Sequence, residues 1–488
     1  MPPTNTINPT KEVGRVLSFF SGVAKLQGLP HVFLHEVLLN AAGKGVAVVI
    51  GFDADSVEAI FFKDSVDTSQ PVFRSRRAFS IASAAALPGR VLNGLGRPQD
   101  GGGPLRGAAL PIFAQAPQII DREPVTRPLL TGVKVIDAAL PLGRGQRELI
   151  IGDRKLGKST LAIDTVVNQR HSHQPVHCVY VLVGQPEEQL KSLIRLFQNE
   201  HALAYTTIVG AFAEDTYASQ YLAPFVGCAI GEHIRSQGRD ALVVYDDLSK
   251  HAKVYRSIAL LFERSPGREA YPGDVFSLHA GLLERAAQLS KKHGGGSLTA
   301  LPIIETKEGD ITSFIPTNLI SITDGQIYLE RGLFQKGFLP AVNVGLSVSR
   351  VGSQAQPESL KQVVGGIRIA LSQYKELQKL TQLETTVSRR TRSKIHRGDL
   401  TLELLKQGKH VAVSWQEQVV LFWAVEQGLF DDLDPGQWHA FESLLLTVLR
   451  GKYQQLLGEI TQGVADATAK KIKIFVEDIK HEFLDQRA

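Results

Sequence analysis

A chain of 488 residues is longer than one hydrophobic core usually serves, so two or three domains are expected. Hydrophobic residues make up 43% and charged residues 21%, an ordinary globular balance, and the lack of a long uninterrupted apolar run argues against a membrane-spanning helix. The net charge of +5 is modest for this length; it admits an acidic partner and gives no argument for nucleic-acid binding. The opening MPPTNTINPTKEVG lacks the basic-then-apolar pattern of a secretory signal, so export is not expected. Both cysteines, Cys178 and Cys228, stand in apolar surroundings and read as buried reduced thiols of a cytosol-like compartment.

Up to about Arg77 the chain reads as short strands and turns. VFLHEVLLN, GVAVVIGF and VEAIFFKD are β-rich runs separated by turn residues, which suggests a small barrel. The Gly/Pro-rich passage from Leu92 to Leu105, LNGLGRPQDGGGPL, reads as a turn-rich bridge between domains. From about Ile119 to Gln356, buried strand candidates alternate with helical stretches: ELIIGD with KSTLAIDTVVNQR, HCVYVLVG with EEQLKSLIRLFQNEH, then TTIVGAF and DALVVYDD. That alternation predicts a mainly parallel sheet covered by helices. After Gln356 the strands stop, and LKQVVGGIRIALSQYKELQKL, WQEQVVLFWAVEQGLF, HAFESLLLTVLRGKYQQLLGEI and ATAKKIKIFVEDIKHEFL carry apolar residues at helical spacing.

GDRKLGKST, Gly152 to Thr160, fits the phosphate-loop pattern G-x-x-x-x-G-K-[ST]. A triphosphate concentrates negative charge, and backbone N–H groups of a glycine-containing turn at a helix start answer it. Gly152 and Gly157 would supply the turn, Lys158 would neutralise the outer phosphates, and Ser159 would set its hydroxyl on Mg²⁺. An apolar strand runs in and a helix runs out, which is the context the loop requires. ALVVYDD ends in two carboxylates, and Asp246 is the candidate for the Mg²⁺ water shell. Hydrolysis further needs a group that polarises the attacking water. The strand HCVYVLVG is followed by Gln185, whose amide can orient water but cannot take its proton. Glu187 and Glu188 lie beyond the strand, at a helix start where acids are favoured by the dipole alone.

At this point GRGQRELIIGDR, DDLSKHAKVYRSIALLFERSPGREAYPGDVFSLHAGLLERAA, GSLTALPIIETKEGDITSFIPTNLISITDGQIYLERGLF and VNVGLSVSRVGS carry a family resemblance. The chain resembles the α subunits of F-type ATP synthases from about residue 11 to its end. The resemblance implies a multidomain α/β protein: an N-terminal β-barrel (1–77), a central RecA-like nucleotide-binding domain (78–356) and a C-terminal helical bundle (357–488). It implies an alternating hexamer with β subunits around a γ shaft, joined to peripheral stalk subunits and, indirectly, to a membrane sector moving protons or sodium. It places the protein peripherally, on the cytoplasmic side of a bacterial inner or plasma membrane, with no nucleic-acid partner.

Catalytic β subunits of the family carry Glu where this chain has Gln185, so its own site is expected to hold Mg-ATP or ADP without turning it over. The resemblance makes Arg350, in SVSR, an arginine finger for the neighbouring β site, with Ser347 needed for its placement. It assigns Gly152, Asp153, Arg154, Lys155, Leu156, Gly157, Lys158, Ser159, Thr160 and Gln185 to the nucleotide, and Phe334, Pro340 and Gln407 to the neighbourhood of its base. Leu156 replaces a usual Thr, Leu339 a usual Arg, and Lys409 the second of two adenine-side glutamines. The N-terminal extension that meets the peripheral stalk is short. The segment QLETTVSRRTRSKIHRG is more basic than usual near the shaft; Arg389, Arg390, Arg392, Lys394 and Arg397 read as a solvated helix face. These departures imply a divergent α subunit, such as a second, alternative synthase operon would encode. The residues alone leave open a self-sufficient hexameric ATPase of the secretion or RNA-translocase type.

Overall fold

The computed structural model describes residues 12–83, 87–172, 174–381 and 389–485. These divide into two compact units, each made of discontinuous chain: Met1–Glu123, Pro175–Glu305 and Ile311–Thr323 form one, and Pro124–Gln174, Thr306–Asp310 and Asp324–Ala488 the other.

The first unit opens with a closed six-stranded barrel. Its strands are β1 (Val13–Phe20), β2 (Val23–Gln27), β3 (Glu36–Leu39), β4 (Gly45–Phe52), β5 (Val57–Phe61) and β6 (Val72–Ala78), arranged β1-β2-β5-β4-β3-β6, with β6 returning to β1. Every neighbouring pair is antiparallel. Closure removes the exposed edges that would otherwise pair with other chains. Ala24, Leu26, Leu38, Ala47, Val49, Val57, Ala59, Phe61 and Val72 fill the interior. A charged clasp sits at the β3–β6 seam: the Glu36 side chain is fully buried, 2.9 Å from the guanidinium of Arg74, and accepts from the Arg76 amide at 2.7 Å. The barrel was expected, but its strands differ in detail. VFLHEVLLN contributes only Glu36–Leu39, because the residues before it turn and leave Phe33 and Leu34 exposed.

The same unit holds a parallel sheet in the order Ser297–Glu305, Asp240–Asp246, Val176–Gln185, Thr206–Phe212, Val91–Asn93. Its middle three strands are buried almost throughout, which explains their continuous apolar sequence in place of alternation. The Gly/Pro-rich passage read as a bridge begins inside this sheet: Leu92 and Asn93 belong to its last strand, and Arg90 holds the following turn through Asp100 at 2.7 Å.

The second unit contains the strand Leu149–Gly152, paired in parallel with Gly325–Leu329, which pairs in turn with the short antiparallel strand Val348–Ser349. Beyond Gln356 it is helical: Glu358–Val364, Ile367–Thr381, Arg389–Leu405, Trp415–Glu426, Trp438–Lys452, Gln454–Gln462 and Asp466–Asp485. Trp415–Glu426 is buried on nearly all sides, so it is the central helix of the bundle. Ser414 starts it with a capping box: its hydroxyl accepts from the Glu417 amide, and its own amide donates to the Glu417 carboxylate at 2.6 Å. HAFESLLLTVLRGKYQQLLGEI breaks at Tyr453 into two helices. Residues 382–388, the first part of the basic segment, lie outside the described residues; Arg392, Lys394 and Arg397 are exposed. No helix among the described residues is long and apolar enough to cross a membrane.

Candidate functional site

In the second unit the phosphate loop stands between a fully buried strand, Leu149–Gly152, and the helix Lys158–Asn168. Gly157 caps the helix at φ 98°, a left-handed conformation that side-chain-bearing residues rarely adopt. Lys158 is buried and its ammonium donates to the Asp153 carbonyl at 2.7 Å, so it lies back across the loop. Arg154 and Lys155 are exposed, Leu156 is buried, and Ser159 and Thr160 are half-buried in the first helical turn.

The Asp153 carboxylate turns inward. It accepts from the Thr306 hydroxyl at 2.7 Å and the Gly309 amide at 2.8 Å, and pairs with Arg331 at 2.9 Å. Burial alone would raise its pKa; those two hydrogen bonds and the charges of Arg331 and Lys158 hold it below the usual carboxylate range. The loop's start is thus pinned by residues some 150 positions away in sequence, which no local motif announced.

Phe334 and Leu339 are exposed near Pro340. Gln407 is partly buried, and its amide is held by the protein. Its Oε1 accepts from the Lys134 amide at 2.8 Å, while Nε2 donates to the carbonyls of Gly132, at 2.7 Å, and Val411. His410, two residues after Gly408, binds Asp164 of the loop's helix through Nδ1 at 2.7 Å. A cavity of about 370 Å³ is lined by Leu339, Gln407, Val411, Lys134 and Glu442, among others.

Arg350 follows the strand Val348–Ser349 and is exposed. Among the described residues its guanidinium makes no hydrogen bond or ion pair. Its root, by contrast, is firmly held. The Arg350 amide donates to the Asp324 carbonyl at 2.9 Å, and Arg147 grips the Asp324 carboxylate with its own amide, Nε and a terminal nitrogen. Ser347 is fully buried: its hydroxyl donates to the Asn343 carbonyl at 2.7 Å and accepts from the Tyr328 amide at 2.9 Å. Gly325 is required here, because a Cβ would stand 2.1 Å from the Val348 carbonyl oxygen and 2.6 Å from the Glu148 carboxylate. Burial pushes the Glu148 carboxyl well up; the Gln146 hydrogen bond and the Arg350 charge oppose this, and Asp324 adds to it. Arg147, Glu148, Asp324 and Gly325 lay inside the quoted stretches, yet nothing in their spacing marked them as the footing of Arg350.

In the first unit, the strand ends carry a second cluster. Val176–Gln185 and Asp240–Asp246 are paired neighbours, in register from Val176↔Asp240 to Leu182↔Asp246. Asp246 accepts from the Tyr180 hydroxyl at 2.9 Å and from Gln185 Nε2 at 3.1 Å, and the Lys250 ammonium donates to Gln185 Oε1. Asp246 and Gln185 are both buried. Asp247 caps the next helix by accepting from the Lys250 amide at 2.7 Å. Burial, with the neighbouring Asp246 charge second, pushes its carboxyl up to about 7. Glu187 and Glu188 are exposed in the first turn of Glu187–Asn199, and Glu187 pairs with Lys191 on its own helix. Tyr180 and Lys250 were not foreseen as part of this cluster; they reach it from the middle of a strand and from a helix.

The family model of the ATP synthase alpha/beta family, nucleotide-binding domain, matches residues 132–349, and that of the ATP synthase alpha/beta chain, C terminal domain, matches residues 356–479. The chain is 46% identical over 478 residues to an ATP synthase subunit alpha of Aquifex aeolicus (strain VF5), covering 97% of this chain and 95% of that protein. It is 45% identical over 474 residues to an ATP synthase subunit alpha of Helicobacter acinonychis (strain Sheeba), covering 97% and 93%. With the barrel, the parallel sheet, the phosphate loop and the helical bundle in the expected order, the chain belongs to the ATP synthase alpha/beta family, among its alpha subunits.

Proposed function

We propose that this chain is the nucleotide-holding, non-catalytic α subunit of a membrane-attached rotary F-type ATP synthase. That assembly makes ATP from ADP and phosphate, coupled to a transmembrane proton or sodium gradient. One observation carries the non-catalytic reading: where a hydrolytic site needs a base, Gln185 offers an amide tied between Asp246 and Lys250. An amide cannot accept the proton of an attacking water. Glu187 and Glu188, the nearest carboxylates in sequence, are exposed.

In this reading the loop from Gly152 to Thr160 holds the phosphates, with Lys158 supplying charge, and Phe334, Pro340 and Gln407 wall the compartment of the base. Mg²⁺, when bound, neutralises the phosphates and orders them. Ser159, in the first turn of the loop's helix, would provide one hydroxyl. Among the described residues no group of three His, Cys, Asp or Glu side chains is arranged to hold a metal. A lone hydroxyl suits a Mg²⁺ that takes most of its oxygens from water and phosphate.

Arg350 acts on a neighbouring β subunit, where a guanidinium stabilises charge on the transferring phosphoryl group. The exposed guanidinium on a braced root supports this role, since a finger must be free at its tip and fixed at its base. The partners are β subunits, the γ shaft and the peripheral stalk, and the chain sits peripherally at the cytoplasmic face of a bacterial membrane. The test is the complex assembled with its own β and γ subunits. Arg350→Ala lowers Mg-ATP turnover by about a thousandfold or more and leaves nucleotide retention by this chain unchanged; full turnover in that variant would remove the finger assignment.

A further inference from the structure

We infer that a second cavity of the helical unit, at the end of the loop's helix remote from Lys158, is a binding site for neutral aromatic carboxamides. The cavity measures about 400 Å³, within the range of small-molecule sites. Among the described residues it shares no lining residue with the cavity beside Gln407. Asn168, which ends the loop's helix, lies about 15 Å along the axis from Lys158, so a ligand there does not compete for the phosphate loop.

Two acceptors on the cavity wall lack donors. Asn168 and Gln169 both line the cavity and are only 7% and 5% exposed. Asn168 Nδ2 and Gln169 Nε2 each donate to the Leu130 carbonyl at 2.9 Å, and Gln169 Nε2 also donates to the Thr165 carbonyl at 2.8 Å. Those bonds set the orientation of each amide and leave its oxygen as the uncommitted end. Among the described residues, neither Asn168 Oδ1 nor Gln169 Oε1 accepts a hydrogen bond. A Cβ on Gly132, also on the wall, would stand 2.5 Å from Asn168 Oδ1, so that oxygen lies against the bare glycine face of the cavity. Buried acceptors are met by donors, and here the cavity is the space from which a donor can come.

The wall also joins two helix ends of opposite polarity. Asn168 and Gln169 stand at the C-terminal end of Lys158–Asn168, where exposed carbonyls favour donors. Ser414, Trp415 and Gln416 form the start of Trp415–Glu426, where the amides of Trp415 and Gln416 have no intrahelical acceptor. A primary carboxamide matches both ends: its NH₂ donates to the two side-chain oxygens, and its carbonyl oxygen faces the amide-rich end. Charge narrows the class further. Arg127 and Arg144 bring two positive charges to the wall against the single carboxylate of Asp137. Arg144 is tied to the Pro128 carbonyl at 3.2 Å and the Ser172 hydroxyl at 2.8 Å, and Asp137 to the Thr131 and Gly132 amides at 2.8 and 2.9 Å. The surplus positive charge disfavours a cation, and a carboxylate has no N–H to give the two oxygens, so the ligand is neutral. Pro128, Leu130, Pro357 and Trp415 supply apolar surface for a flat ring.

The test is fluorine NMR of the full chain with its 3 tryptophans replaced by 5-fluorotryptophan, the Trp415 signal being assigned with Trp415→Phe. The probes are benzamide, methyl benzoate, which keeps the ring and carbonyl but has no N–H, and the benzamidinium cation. Benzamide is expected to move the Trp415 signal saturably, with a dissociation constant of about 1 mM or tighter. The Trp438 signal, whose indole N–H is bound to the Leu433 carbonyl, stays in place. Methyl benzoate and benzamidinium bind at least about tenfold more weakly, the first because it leaves both buried oxygens unpaired. Gln169→Leu weakens benzamide by about tenfold as well. Three results would each overturn the inference: no saturable shift of the Trp415 signal, methyl benzoate or benzamidinium binding as tightly as benzamide, or undiminished benzamide binding by Gln169→Leu. The comparison of the three probes on the wild type decides the matter even where that variant fails to fold.

Discussion

Gln185→Glu is the substitution that would give this chain the carboxylate of a catalytic relative, and its surroundings determine the outcome. The side chain is 7% exposed, with Nε2 3.1 Å from Asp246 and Oε1 against the Lys250 ammonium. A carboxylate in its place loses the donor to Asp246 and faces a like charge there, while gaining an ion pair with Lys250. At an effective dielectric constant near 20, each interaction is worth about 5 kcal/mol at roughly 3 Å, with opposite sign, so the two cancel. What remains is the cost of burying a carboxylate, several kcal/mol before relaxation. The variant is expected to lose about 2–4 kcal/mol of stability at pH 7.5. The introduced carboxyl has its proton affinity raised by burial, so the folded state binds more protons than the unfolded one as the pH falls. The stability gap to the wild type therefore narrows at pH 5.5. A carboxylate held between Lys250 and Asp246 is not free to activate water, so Mg-ATP hydrolysis by the isolated chain stays near the wild-type level. Urea unfolding at the two pH values reads the first expectation and steady-state phosphate release the second. A working general base contributes on the order of a hundredfold or more; a gain of that size in the single variant would refute the argument.

Ser347→Ala leaves the buried Tyr328 amide without its acceptor, which costs about 1–3 kcal/mol, and loosens the footing of Arg350. Turnover of the assembled complex should fall, less than for Arg350→Ala, with nucleotide retention unchanged; wild-type turnover would show that the hydroxyl is not needed for placement. In the helical unit, Lys134 and Glu442 form an ion pair with side chains only 3% and 8% exposed. Glu442→Leu strands the ammonium and should cost about 3–5 kcal/mol, whereas Lys134→Met with Glu442→Leu regains most of it; equal urea midpoints for the single and double variants would deny the pair its role. His251 and His279 face each other at 3.2 Å, and burial lowers their pKa values to about 4 and about 3. The unfolded chain takes up these protons first, so stability is complete above about pH 6.5 and falls as the pH drops toward 4, by about 2 kcal/mol per histidine at pH 5. His251→Gln with His279→Gln should flatten that dependence, and an unchanged slope would assign it to other groups.

The elements and motifs that arise from contiguous residues were legible beforehand. Leu149 to Asn168 is a strand, a phosphate loop and a helix because its apolar run, its glycines and its helical spacing all act over a few residues. The parallel-sheet strands and the helical last third were readable for the same reason, and Gln185 could be set at a strand end by counting. Barrel details were less accessible, since Phe33 and Leu34 are apolar yet exposed, and composition cannot tell a turn from a strand there.

What the sequence by itself determined is therefore the order of the elements, the family, and the presence of a loop suited to phosphate. Tertiary structure alone decided who partners whom: Asp153 with Thr306, Gln407 with the Lys134 amide, Lys250 with Gln185, and Glu442 with Lys134. These bonds join residues 65 to 308 positions apart. Each forms because a buried polar group must find a partner wherever the fold brings one. Sequence can name Gln407 as a candidate; only the packed structure shows that both of its amide protons are already committed.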